Sequence, residues 1–269
     1  NSDLIYAGGV SGGLWKSTNA GLTWKIIPGT DQLEFSGVVS ICQTTNGDIY
    51  FGTGEGATSN MGGASNGASA FIGGGIYKST DGVTFARLES TAPSNLISTS
   101  FDFASVTEMA AHNTDPNTVY AATRRGVKVT TDGGQTWEAG LVSSAEFFDV
   151  EVAIDGSVFA STSSAVFYSA DGTPGSFSQL SSVATSFGGG SGRIELAVSP
   201  SDVNYIYAIF SNQGGLGRYK GIYRSTDKGE SWDMILPGWS GTTPPTYNIF
   251  NQQANYAMAL AVDPKIRTE

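Results

Sequence analysis

Cysteine and histidine occur once each in the 269 residues, as Cys42 and His112. No intrachain disulfide can form, no cysteine-based metal site can be assembled, and a Ser-His-Asp arrangement would depend on one histidine in a hairpin. Cys42 ends the apolar stretch Val38-Val39-Ser40-Ile41-Cys42, where a small thiol is ordinary packing. Charge is scarce as well: 14% of the residues are Asp, Glu, Lys or Arg, only seven are arginine, and the balance is −10. Such an acidic chain repels nucleic acid and anionic lipid surfaces, so neither is expected as a partner. No apolar run approaches the ~20 residues that a spanning helix needs, so membrane insertion is not expected either. No signal peptide precedes Asn1-Ser2-Asp3, which runs straight into a strand pattern, so a processed or truncated chain is expected.

What the chain does have is glycine, 36 copies, and a turn that recurs five times. The copies begin at Ser17, Ser79, Thr130, Ser169 and Ser225 and read S/T-x-D/N-x-G-x-T/S-aromatic, with Asn19, Asp81, Asp132, Asp171 and Asp227 at the acidic position. Each component has a mechanical use: the Asp or Asn side chain bonds nearby amides, the glycine permits positive φ, and the aromatic ring anchors the turn on the next strand. A strand-like tetrapeptide leads into each copy, from Gly13-Leu14-Trp15-Lys16 to Gly221-Ile222-Tyr223-Arg224. Units of roughly fifty residues with such a hairpin predict an all-β chain of four-stranded antiparallel blades.

These turns resemble the Asp-box, or BNR repeat, of β-propellers that include sialidases, xyloglucanases, sortilin-like receptors and photosystem assembly factors. The resemblance covers essentially the whole chain. It implies one Asp-box propeller domain over residues 1–269, complete or part of a longer chain, with about five blades. Asn19 in place of Asp, a second copy one residue short and an extra Thr173-Pro174 in the fourth copy are departures that bear on local turn geometry.

Each unit reads as strand A, a turn, strand B, a variable loop, strand C, the motif turn and strand D. Met109 to Tyr120 matches Leu196 to Tyr207 position for position, which puts His112 at a turn position that Ser199 also occupies. Ile41-Cys42-Gln43 and Val152-Ala153-Ile154 fit the same register, and Leu260-Ala261-Val262-Asp263-Pro264 starts a further strand A. The first unit begins at strand B. Either the last strand A completes the first blade and closes a ring, the reading favoured here, or the chain is a segment of a longer propeller.

On this register Glu108, Glu151 and Glu195 occupy equivalent places on the innermost strands. Three converging carboxylates raise one another's pKa or require a cation, so they are a candidate Ca²⁺ site, with pairing to Arg193 and buried water as the plainer alternative. No other cofactor is expected. Glu55 and Arg125 end their B strands on the loop face, where the insertion from Ala57 to Gly74 also lies. The insertion from Pro237 to Asn255 brings Trp239, Tyr247 and Phe250 there, rings that either stack on a ligand or tuck onto their own blade.

The resemblance implies that this loop face would carry an active site in the glycosidases. Yet Arg193-Ile194-Glu195 is the nearest phrase to the Arg-Ile-Pro of sialidases, and Gly9-Val10-Ser11-Gly12-Gly13 lacks the carboxylate that xyloglucanase-like propellers place before a Gly-Gly pair. The expected function is therefore a binding module for a glycan or protein partner, secreted or on a bacterial cell surface, similar to chains exported by a type IX route. The alternative is a glycoside hydrolase with a carboxylate pair such as Glu108 and Glu195 as acid and base. The sequence leaves the oligomeric state open.

Overall fold

A computed structural model describes residues 3–9, 12–33, 37–54, 72–93, 101–143, 145–180, 192–211, 217–240, 243–251, 254 and 258–264. Among them there is no α-helix; the regular structure is short strands and two single-turn 3-10 helices, Glu89–Thr91 and Asp102–Ala104. The chain groups into two compact units, Asn1–Ala57 with Ser69–Ser144, and Thr58–Ala68 with Ala145–Glu269.

The first unit holds three sheets. One is β1 (Ile5–Gly9), β2 (Gly13–Ser17) and β3 (Lys25–Ile26). The next two are β4 (Val38–Gln43), β5 (Ile49–Thr53), β6 (Ile76–Ser79) and β7 (Ala86–Arg87), then β8 (Val106–Ala111), β9 (Val119–Thr123), β10 (Gly126–Thr130) and β11 (Glu138–Val142). The second unit holds β12 (Phe147–Val152), β13 (Val158–Thr162), β14 (Val166–Ser169) and β15 (Ser178–Gln179), and β16 (Ile194–Val198), β17 (Ile206–Ser211), β18 (Tyr219–Ser225) and β19 (Asp233–Pro237). Every sheet runs antiparallel in chain order, so the expected A-B-C-D meander is present four times and B-C-D once.

Strands β5, β9 and β13 are buried along their whole length. A strand buried on both faces must lie between neighbours, and the apolar clusters show which ones. Leu14 and Ile27 of the first sheet pack on Val38, Phe51 and Tyr77 of the second. Tyr50 and Ile76 of the second pack on Val106, Met109 and Val119 of the third. In the second unit Phe159 and Val166 pack on Ile194, Ile206, Tyr223 and Trp232. The same positions recur because, within each unit, a sheet lays its Tyr or Phe of strand B and its aliphatic residue of strand C on the sheet that follows.

The five motif turns behave as their residues dictate. The opening Ser or Thr donates its hydroxyl to the Asp or Asn Oδ1 at 2.7–3.4 Å. The same hydroxyl accepts the N–H of Gly21, Gly82, Gly134, Gly172 or Gly229 at 2.7–2.9 Å. Oδ1 in turn accepts the N–H of Thr23, Thr84, Thr136, Thr173 or Ser231 at 2.7–3.0 Å. Asn19 therefore serves as well as Asp. Charge-stabilising amides explain why the Asp132 carboxyl lies down at about 2, with the Thr136 hydroxyl and amide the main causes. At Gly134 the backbone is left-handed, φ 95°, and an added Cβ would lie 2.5 Å from Leu88 Cδ1 of the preceding sheet. Gly229 repeats this against Leu180 at 2.6 Å, so the turn glycine is fixed by packing as well as by φ.

Two pairs of side chains tie consecutive sheets of the first unit. Tyr6 Oη and Lys16 Nζ both donate to the Gly82 carbonyl, at 3.1 and 3.2 Å. Tyr50 Oη and Lys78 Nζ do the same to Gly133, again at 3.1 and 3.2 Å. Residues 258–264, expected to form a strand A from Leu260 to Pro264, form no strand. Met258 and Leu260 instead pack with Ile209, Tyr219 and Ala254, where apolar burial does not require strand pairing.

Candidate functional site

The innermost strands carry the site. Strands β4, β8 and β12 each have a bulge near their start, between Val38 and Ser40, Val106 and Glu108, and Phe147 and Asp149. Beyond it Ser40 faces Gly52, Glu108 faces Ala122 and Asp149 faces Ser161, while Glu195 of the regular β16 faces Ile209. These partners are equivalent, since each lies at the same remove from Ile49, Val119, Val158 or Ile206, the residues opposite the motif Ser or Thr. Asp149, not Glu151, therefore stands in register with Glu108 and Glu195. The expected register of the fourth unit is slipped by two residues. Ile154 caused the slip: it reads as the end of an apolar strand but lies exposed in the turn that Gly156 N–H closes on the Ala153 carbonyl. A two-residue slip keeps the facing of every side chain, so alternation alone could not expose it.

Asp149 is buried, 3% exposed, and its Oδ2 accepts the N–H of Leu196 across the junction of β12 and β16 at 2.6 Å. Ser161 closes the same junction by donating to the Ile194 carbonyl at 2.7 Å. Two residues along β12, on the same face as Asp149, comes Glu151; Cys42 holds the equivalent place on β4. Burial, with the Glu195 carboxylate adding to it, pushes Glu151 up to about 7. Burial raises Glu195 too, opposed by Arg193, whose Nη2 lies 2.7 Å from Glu195 Oε2. Arg193 is held by its own backbone, which exchanges hydrogen bonds with Ser211 at the end of β17. The result is a carboxyl that titrates near neutrality beside an ion-paired carboxylate, both half-buried, on facing innermost strands.

Glu108 belongs to the first unit. Its Oε1 accepts the Met109 N–H at 3.3 Å, and its charge adds to burial in raising the Cys42 thiol far above its ordinary range, which leaves that thiol unreactive. Among the described residues no group of three or more His, Cys, Asp or Glu side chains is arranged to hold a metal ion. His112 is a turn residue: its Nδ1 accepts the N–H of Asp115 at 3.0 Å, as Ser199 Oγ accepts that of Asp202 at 3.3 Å.

The aromatic loop after β19 is partly packed on its own sheet. Phe250 meets Tyr219 edge-on at 5.4 Å, and the Tyr219 hydroxyl donates to the Tyr247 carbonyl. Trp239 lies under the Arg218 guanidinium, 4.4 Å from ring centre to carbon, with its Nε1 donating to Asn248 Oδ1 at 3.3 Å. Tyr247 points outward, 65% exposed. Arg125 is exposed in the tight turn between β9 and β10, where its N–H donates to Thr123 Oγ1. Glu55 and residues 57–71 of the insertion lie outside the described residues. Asp149 was missed in sequence, although an acidic residue within Phe147-Phe148-Asp149-Val150 is the signal of a buried, bonded carboxylate.

No family model matches the chain, and no curated protein does. Solved structures do resemble it. The GH74 enzyme of Niastella koreensis matches with a TM-score of 0.60 at 18% identity, over 87% of this chain and 36% of that one. An ancestral GH74 enzyme matches at 0.64 and 18%, over 90% of this chain and 32% of that one. The GH74 xyloglucanase of Xanthomonas campestris matches at 0.51 and 14%, over 88% and 44%. The chain thus spans less than half the length of these enzymes. At such identities the likeness shows the fold, a β-propeller of four-stranded antiparallel blades, and no more.

Proposed function

We propose that the chain is an exported Asp-box propeller domain, secreted or on a bacterial cell surface, that binds a glycan through the loop side of its second unit. The observation that carries this reading is the post-β19 loop. Trp239 is braced by Arg218 and Asn248, Phe250 is rooted on Tyr219, and Tyr247 is left facing outward over that base. An outward aromatic ring on a packed loop offers a flat apolar face to a sugar, and the loop beneath it is already ordered in the free protein. A solved xyloglucanase of the same fold makes a glucan-type polysaccharide the first ligand to try.

Binding to xyloglucan oligosaccharides and to a glycan array, measured for the wild type and for Tyr247→Ala, tests the reading. Loss of binding with an unchanged melting temperature supports it. Retained binding in Tyr247→Ala, or a ligand that proves to be a protein and no glycan, overturns it.

A second reading, glycoside hydrolysis, is favoured by one observation: Glu151 carries its proton to about pH 7 beside Glu195. A carboxylic acid and a carboxylate in one site are the components of glycosidic acid/base chemistry. Turnover of xyloglucan that vanishes in both Glu151→Gln and Glu195→Gln would establish it in place of simple binding.

A further inference from the structure

Between the first two sheets of the first unit lies a cavity of about 230 Å³, walled by β2, β3 and the first two motif turns. Lys16, Thr18, Thr23 and Lys25 form its polar side, and Ile26, Ile27 and Val83 its apolar side. A second cavity of about 260 Å³ adjoins it, sharing Pro28 and Val83, with Leu33 and Phe85 on its wall. Together they make a groove with a basic end and an apolar end. Among the described residues no Asp or Glu lines either cavity, a local exception in a chain of net charge −10.

Three differences set the first sheet apart from its neighbours, and each removes negative charge or adds positive charge at the basic end. Lys78 of the second sheet reaches the Gly133 carbonyl and also pairs with Asp48 at 2.9 Å. Lys16 reaches the Gly82 carbonyl in the same way, but Leu4, just before Ile5, stands where Asp48 stands before Ile49. Opposite Lys78 on the outer strand is Ala86, whereas opposite Lys16 is Lys25, which puts two like charges side by side. Among the described residues neither Lys16 nor Lys25 is ion-paired. The third difference is Asn19. Asp132 accepts the Thr136 hydroxyl through Oδ2 at 2.6 Å, but Asn19 donates from Nδ2 to Thr23 Oγ1 at 2.9 Å, which leaves the Thr23 hydroxyl hydrogen to be donated elsewhere.

We propose that this groove binds a peptide segment of a partner protein in which an acidic residue stands near an apolar one. Its Asp or Glu carboxylate lies between Lys16, Lys25 and Thr23, and its apolar side chain lies against Pro28, Leu33 and Phe85. A carboxylate there relieves the repulsion between the two ammonium groups and accepts charge-assisted hydrogen bonds from both. The Phe85 ring is committed to Phe51 at 5.2 Å and the other apolar walls are aliphatic, which suits an apolar side chain better than the flat face of a sugar. Val83, 51% exposed where the two cavities meet, is covered when the groove is filled. All of these residues belong to the first unit, between two sheets that pack on each other, so the site stands whether or not the loop after β19 binds a glycan.

The test applies the full 269-residue chain to an array of capped hexapeptides, each with one Asp or Glu close to a Leu or Phe in a Gly/Ser frame, and titrates the tightest by calorimetry. Binding should be lost when the acid of the peptide becomes Asn or Gln. Lys25→Glu, at an exposed residue, should weaken it by about tenfold or more, the worth of a hydrogen bond between charged groups. Asn19→Asp restores the carboxylate that the other four motif turns carry, so it should keep its melting temperature and still weaken the peptide, by returning negative charge and reclaiming the Thr23 hydrogen. Lys25→Ala replaces Lys25→Glu if the latter loses its circular dichroism spectrum. An array without a binder overturns the proposal, as does unchanged affinity in either variant. Acetate or sulfate competing as tightly as the peptide also overturns it, since the apolar end would then take no part. So does a uronate or sulfated oligosaccharide that binds in place of every peptide.

Discussion

The junction of β4 with β8 in the first unit and that of β12 with β16 in the second are built to one plan and filled differently. In the first, the small hydroxyl of Ser40 donates to the Val106 carbonyl at 3.1 Å, and the next position on that face is Cys42. In the second, the carboxylate of Asp149 accepts the Leu196 N–H at 2.6 Å, and the next position is Glu151. A neutral pair holds one junction, so the architecture does not require charge there. Asp149 and Glu151 on β12 are thus an addition to what the fold itself needs.

The largest expected effect lies in the pH dependence of that acidic junction. Glu151 has its folded pKa raised above the ordinary 4.5 to about 7, so its contribution is fully present below 4.5 and is lost as pH rises through 7. Between those limits it amounts to on the order of 3 kcal/mol. Urea unfolding at pH 5 and pH 8 should show this slope in the wild type and not in Glu151→Gln; equal slopes would remove the distinction between the junctions. Next comes the bond itself. Asp149→Ala should cost about 2 kcal/mol, because a buried N–H loses a charged acceptor, against about 1 kcal/mol for Ser40→Ala. Equal losses would mean that the charge adds nothing to the bond.

Smaller still is the effect of a turn. Asp132→Ala should cost about 1 kcal/mol through the lost amide bonds, with ligand binding unchanged. Its acid limb has the opposite sign to that of Glu151: the contribution is present above pH 4 and is lost as pH falls through about 2. The smallest effect on stability, none measurable, is expected for Tyr247→Ala, which should show itself in binding alone. A fall in melting temperature there would assign the ring to the loop's own packing.

What was legible in the sequence was whatever short-range chemistry enforces. The motif turns were readable because hydroxyl, carboxylate and glycine satisfy one another within eight residues. The fourth-unit register was not, since Ile154 is apolar yet exposed and a slip of two preserves alternation. The rings of the long loop were readable as a loop feature, but their division between support and display depends on Tyr219 and Arg218, far off in sequence. The Leu260 to Pro264 strand failed for a related reason: an apolar pattern signals burial, and burial here is met by packing without a ladder.

The paired Tyr and Lys donors that seize the Gly82 and Gly133 carbonyls bear on how such an array can change over time. They read main chain, which every residue type presents alike, and the equivalent position elsewhere holds Ala20 and Lys228. A side chain at that point must still fit the neighbouring blade: an added Cβ at Gly82 would lie 2.4 Å from Tyr6 Oη, whereas Lys228 reaches across to Asp155 at 2.7 Å. Repeats joined in this manner can drift apart in sequence while keeping their spacing, so shared pitch outlasts shared identity.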